Sequence, residues 1–276
     1  MTEPTALKIE VAGCREPGTP TLALIHGWGM HCNVFTEVIE TLAPRFQLLL
    51  IDLPGHGRNH QLSRIPPLAE LADQIAGAVA TLVDEEPITC LGWSLGGQLA
   101  LTLALQHPQQ INRLVLVAST PRFVRDATWP HGMPAAVFDQ FAADLREDHV
   151  ATWQRFLALE VHGTATAKQD LRRLRQVATD WPPPNPTALA DGLELLGNND
   201  LRDQLCQIHT PTLIVSGGRD RLVPPAAGRW MASQLARADH QVLSAGGHAP
   251  FIGDSTAFLK LLEPFALADH ARLAHV

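Results

Sequence analysis

The sequence predicts an α/β protein, a mostly parallel central sheet flanked by helices, with one all-helical segment set into it. Three observations carry that expectation. Short apolar runs at 21–25, 46–51, 88–91, 114–118, 212–215 and 241–243 are leucine-rich or β-branched and bounded by glycine, proline or polar residues. Strands buried on both faces of a parallel sheet have that pattern. Helical patterns at 34–42, 68–83, 95–106, 226–235 and 257–268 alternate with these runs, as a doubly covered sheet requires. Between about 121 and 191 the alternation stops. Amphipathic patterns at 137–145, 149–159 and 165–177 follow one another with no convincing strand, and the stretch closes on Trp181-Pro-Pro-Pro-Asn-Pro186. The expected organisation is a core of residues 1–120 and 192–276, with 121–191 as a helical cap over the sheet.

Composition narrows the function classes. The 276 residues are 18% charged and 46% hydrophobic, with a net charge of −7, values usual for a globular domain. No long basic run offsets that negative charge, which argues against nucleic-acid binding. The first residues lack the basic and apolar regions of a signal peptide, and no apolar stretch reaches the ~18 residues of a membrane span. The four cysteines (Cys14, Cys32, Cys90, Cys206) are scattered, so neither a disulfide frame nor a zinc site is expected. A cytoplasmic monomer is the expectation. The histidine- and alanine-rich end, 269–276, is expected to fray.

In chain order, the run at 21–25 leads into His26-Gly27-Trp28-Gly29, a loop able to aim a backbone N–H at a substrate; Trp28 is the expected donor. His26 is read as organising that loop by hydrogen bonding. The run at 46–51 leads into Asp52-Leu-Pro-Gly-His-Gly57, a tight turn read as structural. The run at 88–91 leads into Gly92-Trp-Ser-Leu-Gly-Gly97 and then a helical pattern. Strand, sharp turn and helix form the context of a nucleophile elbow. A serine at so tight an apex has a strained backbone, and its neighbours two residues away crowd together. Gly92 and Gly96, without Cβ atoms, tolerate the crowding. Ser94 would then point toward substrate, with the N–H of Leu95 as a second donor. Taken alone, the pentapeptide could be no more than a glycine-rich turn.

A serine hydroxyl needs a base within hydrogen-bond reach, and that base needs an orienting acid. Both occur downstream in the order serine, acid, histidine. Asp220 follows the run at 212–215 in Ser216-Gly-Gly-Arg-Asp220, and His248 follows the run at 241–243 in Gly246-Gly-His248. Both stand just past the C-terminal ends of strands, where open parallel sheets bind ligands. Asp191, Asp200 and Asp203 are the other candidate acids, and His26, His56 and His131 the other candidate bases. No zinc spacing, P-loop or dinucleotide fingerprint is present, so no metal or cofactor is expected. The reaction class is acyl transfer to water through a serine ester.

The segment 121–190 holds eight basic and eight acidic residues, so the rest of the chain carries the whole −7. Within it, 168–175 has four positive charges against one negative, which a plain solvated helix face would also explain.

These motifs, together with Arg155-Phe-Leu-Ala-Leu159, Gly192-Leu-Glu-Leu-Leu196, Leu222-Val-Pro224 and Gly247-His-Ala-Pro-Phe-Ile252, resemble the pimeloyl-acyl-carrier-protein methyl ester carboxylesterases of biotin synthesis. The likeness covers roughly residues 20 to 265. It implies an α/β-hydrolase fold with the cap inserted after the sixth strand. It also implies a pimeloyl methyl ester borne on acyl carrier protein as substrate and partner, with methanol released. By the resemblance Ser94 is the nucleophile, His248 the base and Asp220 its acid. Trp28 and Leu95 line the ester site, and Phe156, Leu157, Ala158, Leu159 and Glu160 form a cap wall along the chain. Arg155, Lys168 and Arg172 would meet the acidic carrier, which positive charge steers to the cap. Two departures stand out: Glu160 replaces a glutamine common in the family and brings an anionic group near the pocket, and Ala151 stands where an arginine is expected. A general short-chain carboxylesterase or carbon–carbon bond hydrolase would use the same triad. A catalytically silent ligand receptor on the same scaffold is the reading from another class.

Overall fold

The computed structural model describes residues 6–83 and 86–268; the predicted fraying of 269–276 lies outside them. Seven strands, β1 (Ile9–Gly13), β2 (Thr21–Ile25), β3 (Gln47–Ile51), β4 (Ile88–Trp93), β5 (Ile111–Val117), β6 (Thr212–Gly217) and β7 (Ala238–Leu243), form one sheet in the order β1-β3-β2-β4-β5-β6-β7. All neighbours are parallel except β1, which runs antiparallel to β3. Strand order reverses between β2 and β4, since β3 lies on the far side of β2. A crevice opens at such a switch point, beyond the carboxyl ends of the strands.

Helices α1 (Thr36–Leu42), α2 (Leu68–Ala80), α3 (Leu95–Gln106), α8 (Pro225–Gln234), α9 (Pro250–Gly253) and α10 (Ser255–Leu267) cover the sheet. In α2 the buried residues Leu68, Leu71, Ala72, Ile75, Ala76 and Val79 fall on one stripe at helical spacing. Helix α3 is buried through its first ten residues and carries no charge, because it lies between α2 and strands β4 and β5. The Asp254 side chain accepts the Ala257 N–H and starts α10.

Four helices, α4 (Ala135–Glu147), α5 (His149–Glu160), α6 (Ala167–Ala178) and α7 (Pro186–Asn198), lie between β5 and β6. The insertion therefore follows the fifth strand in this chain and not the sixth, because a single strand, β1, precedes β2. The proline-rich close at 181–186 leads into α7: the Asn185 side chain accepts the Thr187 N–H and Pro186 takes the first helical position, where a missing N–H costs nothing. Helix α7 runs through position 191. The stems of the insertion are tied together, with Leu201 N–H donating to the Pro121 carbonyl at 2.9 Å and Arg122 and Arg202 both gripping Asp200, at 2.6 and 2.7 Å. Among the described residues, no helix is long and apolar enough to cross a membrane.

Candidate active site

Ser94 joins β4 to α3 with φ 55° and ψ −116°. Among the described residues only Ala118 shares a positive φ without being glycine, and such a backbone costs about 1–3 kcal/mol. The surroundings hold it there. Ser94 N–H donates to the Val117 carbonyl at 2.9 Å, and the Ser119 hydroxyl donates to the Ser94 carbonyl at 2.9 Å. A Cβ on Gly92 would overlap the Gly96 carbonyl, and one on Gly96 would stand 2.5 Å from the His26 and Ile25 carbonyl oxygens. Those two positions admit only glycine, for the steric reason read from the sequence.

The loops after β4, β6 and β7 bring Ser94, Asp220 and His248 into one hydrogen-bonded line. Ser94 Oγ lies 2.9 Å from His248 Nε2, and His248 Nδ1 lies 2.8 Å from Asp220 Oδ2. The carboxylate can only accept, so Nδ1 carries the proton and Nε2 is left to accept the serine hydroxyl. Asp220 Oδ1 accepts the N–H groups of Leu222 and Val223 at 2.8 and 3.0 Å. His248 is fixed at its backbone too, its N–H donating to the Glu160 carbonyl at 2.7 Å and its carbonyl accepting the Trp93 indole N–H at 2.7 Å. All three side chains are buried, and so positioned they can pass a proton from serine to imidazole while the carboxylate orients the ring.

The donors expected for an oxyanion stand beside the serine. Leu95 opens α3, where the N–H has no acceptor within the helix. The His26–Gly29 loop lies against the elbow, so that a Cβ on Gly27 would be 3.2 Å from the Ser94 Cβ. His26 donates from Nδ1 to the Gly27 carbonyl at 2.7 Å and accepts the Leu53 N–H on Nε2 at 2.8 Å. Burial lowers its pKa to about 3, so a neutral ring organises the loop. His56 is likewise pushed down to about 4 by burial. His131 packs on Trp129 instead. Of the other candidate acids, Asp200 is held by the two arginines and Asp191 accepts from Arg64 and the Ile65 N–H, at 2.7 and 3.0 Å.

The expected cap wall lies on α5 and its C-terminal end. An apolar chamber is lined by Phe156 and Leu159 with Trp28 and Leu222, whereas Leu157, Ala158 and Glu160 do not line it. A helix turns about 100° per residue, so five consecutive residues cannot share a face. The Trp28 ring meets Phe156 edge-on at 4.8 Å, and its indole N–H donates to the Leu189 carbonyl of α7 at 2.8 Å. Glu160 is buried. Burial, with the negative Asp220 nearby, pushes its carboxyl well above the usual carboxylate range, a shift that favours the uncharged form.

Arg155 pairs with Asp144 at 3.0 Å. Lys168 and Arg172 are exposed on α6, four residues apart and so on one face. Sequence reasoning missed the tryptophans that lock the assembly: Trp93, and Trp153, whose indole donates to the Gly29 carbonyl at 2.7 Å. Their partners lie 155 and 124 positions away, and no local pattern signals such pairs.

The alpha/beta hydrolase fold model matches residues 20–255. A pimeloyl-[acyl-carrier protein] methyl ester esterase of Xanthomonas campestris pv. campestris is 42% identical over 249 residues, 90% of this chain and 96% of that protein. Its namesake from Xylella fastidiosa is 42% identical over 89% of this chain and 94% of its own. Among solved structures, an esterase from Exiguobacterium antarcticum superposes with a TM-score of 0.83 at 22% identity, covering 94% of this chain and 95% of that one. A bromoperoxidase from Bacillus anthracis gives 0.84 at 18% identity, over 93% and 94%. Likeness at that identity concerns the fold alone.

Proposed function

The chain belongs to the α/β-hydrolase family and, within it, to the pimeloyl-[acyl-carrier protein] methyl ester esterases, and from that premise we propose that it hydrolyses the methyl ester of a pimeloyl chain carried on acyl carrier protein, in biotin synthesis. It is a carboxylic ester hydrolase. The observation that carries the reaction is the unbroken hydrogen-bond line from Ser94 through His248 to Asp220.

Ser94 Oγ attacks the ester carbonyl while His248 Nε2 takes its proton. The tetrahedral oxyanion is held by the N–H groups of Leu95 and Trp28, each such donor being worth about 3–4 kcal/mol. His248 then gives the proton to the methoxide oxygen, and methanol leaves. Water, deprotonated by the same imidazole, attacks the acyl-enzyme and releases the free carboxylate. Asp220 holds the ring in the required tautomer throughout. Here the helices from 121 to 191, with the rest of α7, act as the cap: Phe156 and Leu159 pack on the acyl chain, and Arg155, Lys168 and Arg172 receive the acidic carrier. With that reading goes a cytoplasmic location and a monomeric state, the second of which sedimentation equilibrium tests.

The test is kcat/KM on pimeloyl-carrier methyl ester beside p-nitrophenyl butyrate, for the wild type and Ser94→Ala. A strong preference for the carrier-bound ester, lost with the serine, supports the proposal. Comparable rates on both esters, still dependent on Ser94, would leave a serine esterase of different specificity.

A further inference from the structure

Each N–H expected to face the oxyanion belongs to a peptide whose carbonyl sits on the preceding residue. For Leu95 that carbonyl is the one of Ser94, and the Ser119 hydroxyl donates to it at 2.9 Å. For Trp28 it is the one of Gly27, and His26 Nδ1 donates to it at 2.7 Å. Both side chains are buried. His26 Nε2 accepts the Leu53 N–H at 2.8 Å, so the ring proton is on Nδ1. Ser119 is delivered by a turn in the backbone: Ala118, just before it, has φ 45° and is held by its N–H donating to the Val215 carbonyl at 2.8 Å. Room for the hydroxyl is left by Gly97, where a Cβ would overlap Ser119 Oγ. Crowding at the elbow accounts for Gly92 and Gly96, and Ser119 accounts for Gly97.

We infer that Ser119 is a positioning residue of the oxyanion hole, acting through the Ser94–Leu95 peptide as His26 acts through the Gly27–Trp28 peptide. The inference rests on the serine-ester reaction proposed above, and not on which ester is the natural one. A peptide is a planar, conjugated unit, so fixing its oxygen also fixes the direction of its N–H. A donor on the oxygen draws electron density from the nitrogen, and the N–H becomes a stronger donor, as along any chain of hydrogen bonds at low dielectric. The Ser94 carbonyl also accepts the Gly97 N–H, at 3.0 Å, so it keeps a partner when Ser119 is removed and the elbow survives. What the hydroxyl adds is the aim and strength of the Leu95 N–H.

The test compares Ser119→Ala with Thr102→Ala. The second removes a like bond, from the Thr102 hydroxyl to the Gln98 carbonyl at 2.9 Å, about two turns along α3 from Ser94. On p-nitrophenyl butyrate we expect kcat to fall about tenfold in Ser119→Ala with KM unchanged, less than the roughly 10²–10³ lost when an oxyanion donor is removed outright. In Thr102→Ala kcat should hold. A further reading isolates the hole. An alkyl trifluoromethyl ketone bonds its carbonyl carbon to Ser94 Oγ, and its oxygen then faces the Leu95 N–H. Carbon NMR follows the pH at which that oxygen loses its proton, which should rise in Ser119→Ala and stay in place in Thr102→Ala. A kcat close to the wild type in Ser119→Ala, an equal fall in both variants, or a fall with the adduct's titration unmoved would overturn the inference. Activity retained in Ser94→Ala would instead remove the serine reaction, and the inference with it.

Discussion

The sheet edge and the helical insertion above it are built by different rules. At the sheet edge nearly every atom is specified. Strand β4 is buried along its whole length, the glycines flanking Ser94 tolerate no Cβ, and both backbone polar groups of His248 have partners. The insertion is looser. Three of the five large hydrophobic residues most exposed among the described residues, Val137, Val150 and Leu159, belong to it, and its arginines pair across solvent-facing helix surfaces. Fixed geometry suits the reacting atoms, where a small displacement costs orders of magnitude in rate. Adaptable apolar surface and long charged side chains suit a substrate that must be admitted on its tether and then let go.

That division can be broken most severely at the sheet edge. Asp220→Asn keeps the shape but removes the acceptor that holds His248 in its tautomer, and kcat should fall by roughly 10⁴ on carrier-bound and small esters alike. A loss confined to one ester, read from steady-state kinetics on both, would contradict a shared reaction centre. In the insertion the effect should be smaller and selective. Reversing charge at Arg155, Lys168 and Arg172 together should raise KM for the carrier-bound ester about tenfold, the cost of roughly 1.4 kcal/mol of lost attraction, and leave p-nitrophenyl butyrate unaffected. Equal loss on both esters would argue against these residues as the carrier's contacts.

The smallest expected effects concern pH, and the two regions differ in sign. His26 and His56, under the sheet edge, have folded-state values of about 3 and about 4, below the ordinary 6.5. Their stabilising contribution is complete above pH 6.5 and is lost as pH falls toward those values. Glu160, in the insertion, has its value raised, so its contribution is complete below the ordinary carboxylate range and is lost as pH rises through the folded-state value. Glu160→Gln should therefore gain thermal stability relative to the wild type as pH is raised from 6 to 9, with no effect on the acid-side decline. A melting-temperature difference independent of pH would mean that the carboxyl is ionised throughout.

The same contrast explains what could be read in advance. The elbow, the His26 loop and the positions of Asp220 and His248 follow from local rules: an apolar strand, a turn that needs glycine, a polar residue at the strand's end. Strand β1 escaped because an edge strand is half-buried, and Ile9-Glu-Val-Ala-Gly13 lacks the continuous apolar run of its neighbours. The start of α7 escaped because Asn185-Pro186 reads equally as a loop end or a helix cap. The upward pKa shift of Glu160 was hidden because burial is a property of the packed chain.

The most direct measurement is peptide mapping after inactivation with an alkyl p-nitrophenyl phosphonate, with and without saturating pimeloyl-carrier methyl ester. The account expects one phosphonyl group, on Ser94, lost activity in proportion to its formation, and slower labelling when the carrier ester is present. Label on another residue, or activity that survives complete modification of Ser94, would contradict it.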